Sequence, residues 1–138
     1  MGYQDEIRNA VRWDITTVDI EGKMRAVIRK IIDSNVSALA VKKDNMVVGV
    51  VTEMDVLKYL AEKRDPDSTG IAEIMSPCEL ISREYGYRSS PCIQLHQSES
   101  VQNALKLMDG AGVNSLLVSG DDDKEVGMVS IRDLLHLI

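Results

Sequence analysis

The sequence predicts an α+β fold with mixed sheets, built from two pseudo-symmetric copies of one β-α-β-β-α unit. Three observations carry that expectation. Gly49, Thr52 and Asp55 recur 78 positions on as Gly127, Ser130 and Asp133. Val36-Ser37-Ala38-Leu39-Ala40-Val41 aligns with Val113-Asn114-Ser115-Leu116-Leu117-Val118 at an offset of 77. Met24, Val27, Ile28 and Ile31 align with Val101, Ala104, Leu105 and Met108 at the same offset, and both sets keep the i, i+3, i+4, i+7 rhythm of a half-buried helix. A repeated supersecondary unit that cannot bury its apolar face alone stacks on its copy. With 138 residues in all, each half alone buries too little to be comfortably stable, so the halves are expected to fold together.

Taken in order, Gln4 to Arg12 reads as a short helix with Ile7 and Val11 on one face, and the β-branched run Ile15-Thr16-Thr17-Val18 as a strand. Its counterpart in the second copy is Cys92-Ile93-Gln94-Leu95. A helix over residues 23–33 follows, closed by Asn35, which aligns with Gly112; both residue types tolerate the left-handed conformation that ends a helix. Strands over 37–42 and 46–51 are joined by Lys43-Asp44-Asn45, and the second copy uses Gly120-Asp121-Asp122-Asp123-Lys124 for the same turn. The last helix spans 53–64 in one copy and 131–138 in the other. Strand, helix and strand form a parallel crossover, and the hairpin adds an antiparallel strand.

These assignments divide the chain into a first unit over 1–64 with its N-terminal helix, a Pro-, Gly- and Asp-bearing linker over 65–73, and a second unit over 74–138. The second unit carries an inserted excursion over 78–92, from Cys78 to Cys92, which holds Arg83, Tyr85, Tyr87 and Arg88.

A net charge of −6 with scattered basic residues argues against a nucleic-acid partner, because a phosphate-tracking surface needs clustered Lys and Arg. No apolar run approaches the roughly 20 residues that span a bilayer, and the N-terminus lacks the basic start and apolar core of a signal peptide. No membrane association and a cytoplasmic location are expected.

Thr52-x-x-Asp55 and Ser130-x-x-Asp133 stand where a strand gives way to a helix, the sequence form of a capping box with Asp in place of Glu. Capping alone would suffice to place these residues, since such a cap contributes about 0.5–2 kcal/mol. It does not explain the glycine three residues before each one. Glycine inside a strand marks a bulge or a close backbone approach.

The spacing Gly-h-h-Thr/Ser-x-x-Asp (h, apolar), found twice behind a Val-x-x-Leu-x-Val strand and an amphipathic helix, resembles the cystathionine β-synthase (CBS) domain. Two copies resemble the regulatory CBS pair known as a Bateman module, and Ile74-Met75-Ser76 resembles the Met-Ser/Thr element that often opens a copy. The resemblance covers nearly the whole chain. It implies two CBS units packed through their sheets, with clefts that take adenosine-containing ligands: AMP, ADP, ATP, S-adenosylmethionine or NAD(H). Asp55 and Asp133 would then accept hydrogen bonds from ribose hydroxyls, with Thr52 and Ser130 beside the phosphate. Thr17 would lie near the base, and Ala38 and Ser115 on the strand lining the cleft. Gln94 replaces Thr17 in the second copy and Arg132, a phosphate-binding candidate, replaces Met54, so the two sites are expected to differ. A helix N-terminus with its unpaired N–H groups and partial positive charge favours phosphate on general grounds.

The resemblance further implies a homodimer; an effector protein, if one exists, is a separate partner, and no cofactor is required. Nothing in the sequence pairs a nucleophile with a base, so no catalysis is expected. Two other readings stay open: a structural dimerisation module whose clefts stay empty, and a thiol redox sensor through Cys78 and Cys92, whose disulfide would close a loop of roughly 15 residues worth about 3 kcal/mol. Cys78, Cys92 and His96 supply three ligand-type side chains without the paired short spacings of a structural zinc site, so no metal is assigned. The Asp121-Asp122-Asp123 run reads as a solvated turn, and His136 as a cation tolerated in the last turn of a helix.

Overall fold

The computed structural model describes residues 2–44, 46–77, 94–121 and 126–138. The chain divides into two compact units, Thr16–Glu79 on one side and Met1–Ile15 with Leu80–Ile138 on the other.

In the unit Thr16–Glu79, β1 (Thr17–Asp19) leads to helix α1 (Met24–Ser34), then to the hairpin of β2 (Ala38–Lys43) and β3 (Met46–Thr52), then to α2 (Glu53–Ala61). β1 runs parallel to β2, and β2 antiparallel to β3. Helix α1 ends on Asn35 in the left-handed conformation, φ 51° and ψ 46°, and the polar side chain of Asn tolerates that geometry where most residues do not. Alternation sends Val18, Leu39, Val41 and Val51 to one face of the sheet, where they pack with Met24 and Val27 of α1 and Val56 of α2.

The other unit repeats the plan. It has β5 (Gln94–His96), α4 (Val101–Ala111), β6 (Ser115–Ser119), β7 (Val126–Ser130) and α5 (Ile131–Leu135). Gly112 closes α4 at φ 67°, the counterpart of Asn35. The core again comes from alternate strand residues, Leu95, Leu116, Val118 and Val129, packed with Val101, Ala104, Met108 and Leu134.

The expected division at 65–73 is not where the chain changes unit. Within that stretch and just beyond it, Ile71–Ile74 forms a helical turn, α3, and Ser76–Pro77 forms β4, paired antiparallel with β3. Ile71 and Ile74 enter the core beneath β1–β3. Ile74-Met75-Ser76 therefore completes the sheet of the first copy, although it was expected to open the second. The N-terminal segment mirrors this. Residues 4–12 hold no continuous helix: Gly2–Gln4 and Ile7–Asn9 are single turns of 3-10 helix, and the Arg12 backbone bonds Met128 of β7 in both directions at 2.9 Å. Ile7 is fully buried in the core of the second copy. Such short turns lack the length over which helical periodicity tells.

The two leading segments correspond at an offset of 64, Ile7 with Ile71 and Ala10 with Ile74. Their main-chain bonds match as well. Ile71 N–H donates to Gly22 O (3.0 Å) and Met24 N–H to Thr69 O (2.8 Å), while Ile7 N–H donates to Glu99 O (2.8 Å) and Val101 N–H to Asp5 O (2.9 Å). Each copy is thus completed by the segment that precedes the other copy in sequence.

This exchange explains the two strand glycines. A Cβ on Gly49 would stand 2.8 Å from Ser76 O, and one on Gly127 would stand 2.8 Å from Arg12 O. The leading segment lies directly over the glycine in both copies, which is the close backbone approach the sequence predicted.

The excursion over 78–92, including both cysteines, and the turn residues Asn45 and 122–125 lie outside the described residues. Among the described residues no helix is long and apolar enough to cross a membrane.

Filling the glycine positions is expected to cost stability. Gly49→Ala and Gly127→Ala should each lose about 1–3 kcal/mol in urea denaturation, as overpacking against backbone does. Gly110→Ala, where a Cβ meets nothing within 4 Å, should instead gain roughly 0.5–1 kcal/mol by restraining a helical glycine.

Candidate functional site

Both predicted capping boxes form. Thr52 ends β3 in extended geometry, φ −117° and ψ 166°, and starts α2. Its hydroxyl accepts from Asp55 N–H at 3.2 Å, while Asp55 Oδ2 accepts from the Thr52 N–H at 2.8 Å and from its hydroxyl at 3.1 Å. Ser130 and Asp133 repeat this at the start of α5: the hydroxyl accepts from Asp133 N–H at 3.1 Å, and Asp133 Oδ2 accepts from Ser130 N–H at 3.0 Å and from its hydroxyl at 2.9 Å. Each box satisfies helix-end donors that would otherwise lack partners.

The strand register places the other candidates. Ala38 lies opposite Thr52 across β2 and β3, and Thr17 pairs with Ala40, two residues along β2 from Ala38. Opposed residues share a face and alternate residues return to it, so Thr17, Ala38 and Thr52 line the face away from the α1 and α2 core. Ala38 and Ala40 on that face are buried, beside the half-buried Thr17 and Thr52. In the second copy Ser115 lies opposite Ser130, and Gln94 stands in register with Leu117. Arg132 is exposed, with no acidic partner among the described residues.

One site residue escaped the sequence reading. Arg12 donates through Nε to Asp133 Oδ1 at 3.1 Å, and its Nη2 lies 3.0 Å from the same oxygen. Only alignment of the two leading segments, which sets Arg12 against Ser76, would have pointed to it. Burial acts to raise the Asp133 pKa, but the Ser130 N–H, the Ser130 hydroxyl and the Arg12 guanidinium outweigh it, and the carboxyl titrates below the ordinary Asp range. His96, set aside as a metal ligand, has Nδ1 2.7 Å from the Ser98 hydroxyl and Nε2 3.2 Å from Asp121 Oδ1.

A family model for the CBS domain matches the chain twice, over residues 7–62 and 83–138. The chain belongs to the CBS-domain family. The two matches form a tandem pair, each holding one capping box. An uncharacterized protein of Methanopyrus kandleri is 28% identical to this CBS chain over 102 residues, 73% of the chain and 45% of the relative. A second uncharacterized protein, from Methanocaldococcus jannaschii, is 23% identical over 91% of the chain and 36% of its own length. The chain thus spans less than half the length of these curated relatives. Among solved structures, a CBS domain protein of unknown function from Thermoplasma acidophilum superposes with a TM-score of 0.78 at 18% identity, covering 96% of this chain and 68% of that one. The CBS domain of a bacterial CNNM/CorC family Mg2+ transporter, solved in complex with ATP, superposes at 0.77 with 16% identity, covering 99% and 88%. At these identities the likeness shows the CBS fold.

The caps predict a stability signature. Thr52→Ala and Ser130→Ala should each lose about 0.5–2 kcal/mol. Because the folded-state pKa of Asp133 is lowered, its contribution is full above the unfolded value of about 3.9 and is lost as pH falls through the folded value. Asp133→Asn should therefore melt lower than the parent at pH 7, and the gap should close as the pH is taken below about 4.

Proposed function

We propose that this CBS pair is a regulatory, non-enzymatic module that binds an adenosine-containing ligand and passes occupancy on to a separate effector protein. The observation that carries the reading is the Asp55 carboxylate. Its Oδ2 is fixed by Thr52, whereas among the described residues nothing occupies Oδ1. A carboxylate held in one orientation with an open oxygen suits the two vicinal hydroxyls of a ribose.

The surroundings support this role. Asp55 is half-buried at the start of the nine-residue helix α2, whose N-terminal N–H groups and partial positive charge favour a phosphate beside Thr52. Thr17 and Ala38, which share the sheet face with Thr52, lie beside the base on this reading. On this reading Ser130, Asp133, Ser115, Gln94 and Arg132 perform the corresponding tasks in the second copy, with Arg132 as a phosphate contact. The ATP complex of the transporter's CBS domain supports the ligand class, which extends to AMP, ADP, S-adenosylmethionine and NAD(H). Occupancy is transmitted by differential affinity for two states of the module, in shape or in homodimer association.

Thermal melting against AMP, ADP, ATP, S-adenosylmethionine and NADH tests the proposal. A bound member of the set at 100 times its dissociation constant should add about 2.7 kcal/mol, and the shift should vanish in Asp55→Asn while that variant stays folded. No shift with any compound would leave the caps as purely structural devices and the module as one of association.

A further inference from the structure

We propose that Arg12 is the residue that makes the two copies unequal, holding the Asp133 carboxylate closed to a vicinal diol so that ribose is read first at Asp55. This rests on the ligand class proposed above and assigns the selectivity between its two positions.

The argument is one of acceptor capacity. An ionised carboxylate offers about four lone-pair positions, two on each oxygen. At Asp133 both oxygens are engaged: Oδ2 takes the N–H and hydroxyl of Ser130, and Oδ1 takes Nε of Arg12, with Nη2 of the same guanidinium 3.0 Å away. At Asp55, among the described residues, only Oδ2 is engaged, by the N–H and hydroxyl of Thr52. A diol needs two acceptor positions on one group. It finds them on the open Oδ1 of Asp55, whereas at Asp133 the guanidinium stands against Oδ1 until it leaves.

Arg12 is well placed to act in this way. Its backbone is clamped to Met128 by two 2.9 Å bonds, so the side chain can swing without moving the segment. Its side chain is 67% exposed against 11% for Asp133. The guanidinium therefore leaves readily into water, and the incoming hydroxyls replace the bonds that the carboxylate loses. Ser76, the counterpart of Arg12 in the leading segment of the first copy, carries no charge and makes no bond to Asp55 among the described residues. This asymmetry comes from the exchanged segments and adds to the differences at Gln94 and Arg132 within the repeated units.

Isothermal titration calorimetry on the full chain, with AMP and separately with S-adenosylmethionine as probes, decides the matter. The parent should bind one tight equivalent that Asp55→Asn removes and Asp133→Asn leaves in place. Arg12→Gln should tighten a second equivalent about tenfold, equal to about 1.4 kcal/mol, and Asp133→Asn added to Arg12→Gln should abolish it. Arg12→Lys, which keeps the charge but loses the fork, should fall between parent and Arg12→Gln. If the parent binds but Arg12→Gln changes neither stoichiometry nor affinity by more than twofold, or if Asp133→Asn removes the tight equivalent, the role of Arg12 is overturned while the ligand class stands. If neither probe binds parent or variants, both fall together.

Discussion

Main-chain pairing across a side-chain-free point in a strand is the constraint on which the rest of this structure depends. β3 and β7 each receive a neighbouring segment at a glycine, and the approach is too close for any Cβ. That contact sets the path of residues 7–12 and 71–77, which in turn bring Ile7 and Ile71 into the two cores. It also delivers Arg12 to Asp133. A steric requirement at one backbone position therefore propagates to the electrostatics of a carboxylate several residues away.

The capping boxes show how one set of atoms can serve two ends. The bonds between Thr52 and Asp55, and between Ser130 and Asp133, satisfy helix-end donors and at the same time fix the carboxylate orientation. A flexible Asp would lose rotamer freedom on meeting a ligand, whereas these have already lost it on folding. At Asp55 the half-buried setting strengthens hydrogen bonding at the remaining oxygen, because the local dielectric is lower than that of water.

Much of this was legible in the sequence. The repeat, the core faces and the caps could be read because they rest on local spacing: Met24, Val27, Ile28 and Ile31 follow helical periodicity, Asn35 and Gly112 follow backbone tolerance, and Thr52-x-x-Asp55 follows cap chemistry. Observed elements lie within a few residues of the expected ones, and the last helices end earlier, at Ala61 and Leu135. What could not be read was long-range. Ile7-Arg8-Asn9-Ala10 and Ile71-Ala72-Glu73-Ile74 form single turns whose partners lie far along the chain, and no local pattern states which copy they join. Arg12 was missed for that reason: its partner is 121 positions away.

The exchange of leading segments separates the unit that is repeated from the unit that folds. Counted along the sequence, a copy together with the segment before it is the repeating piece. Counted in space, each sheet is finished by a segment from the neighbouring piece. A chain carrying one such piece would hold one open strand edge at its glycine and one leading segment. Two of those chains trading segments would make between chains the same kind of main-chain bonds that this chain makes within itself.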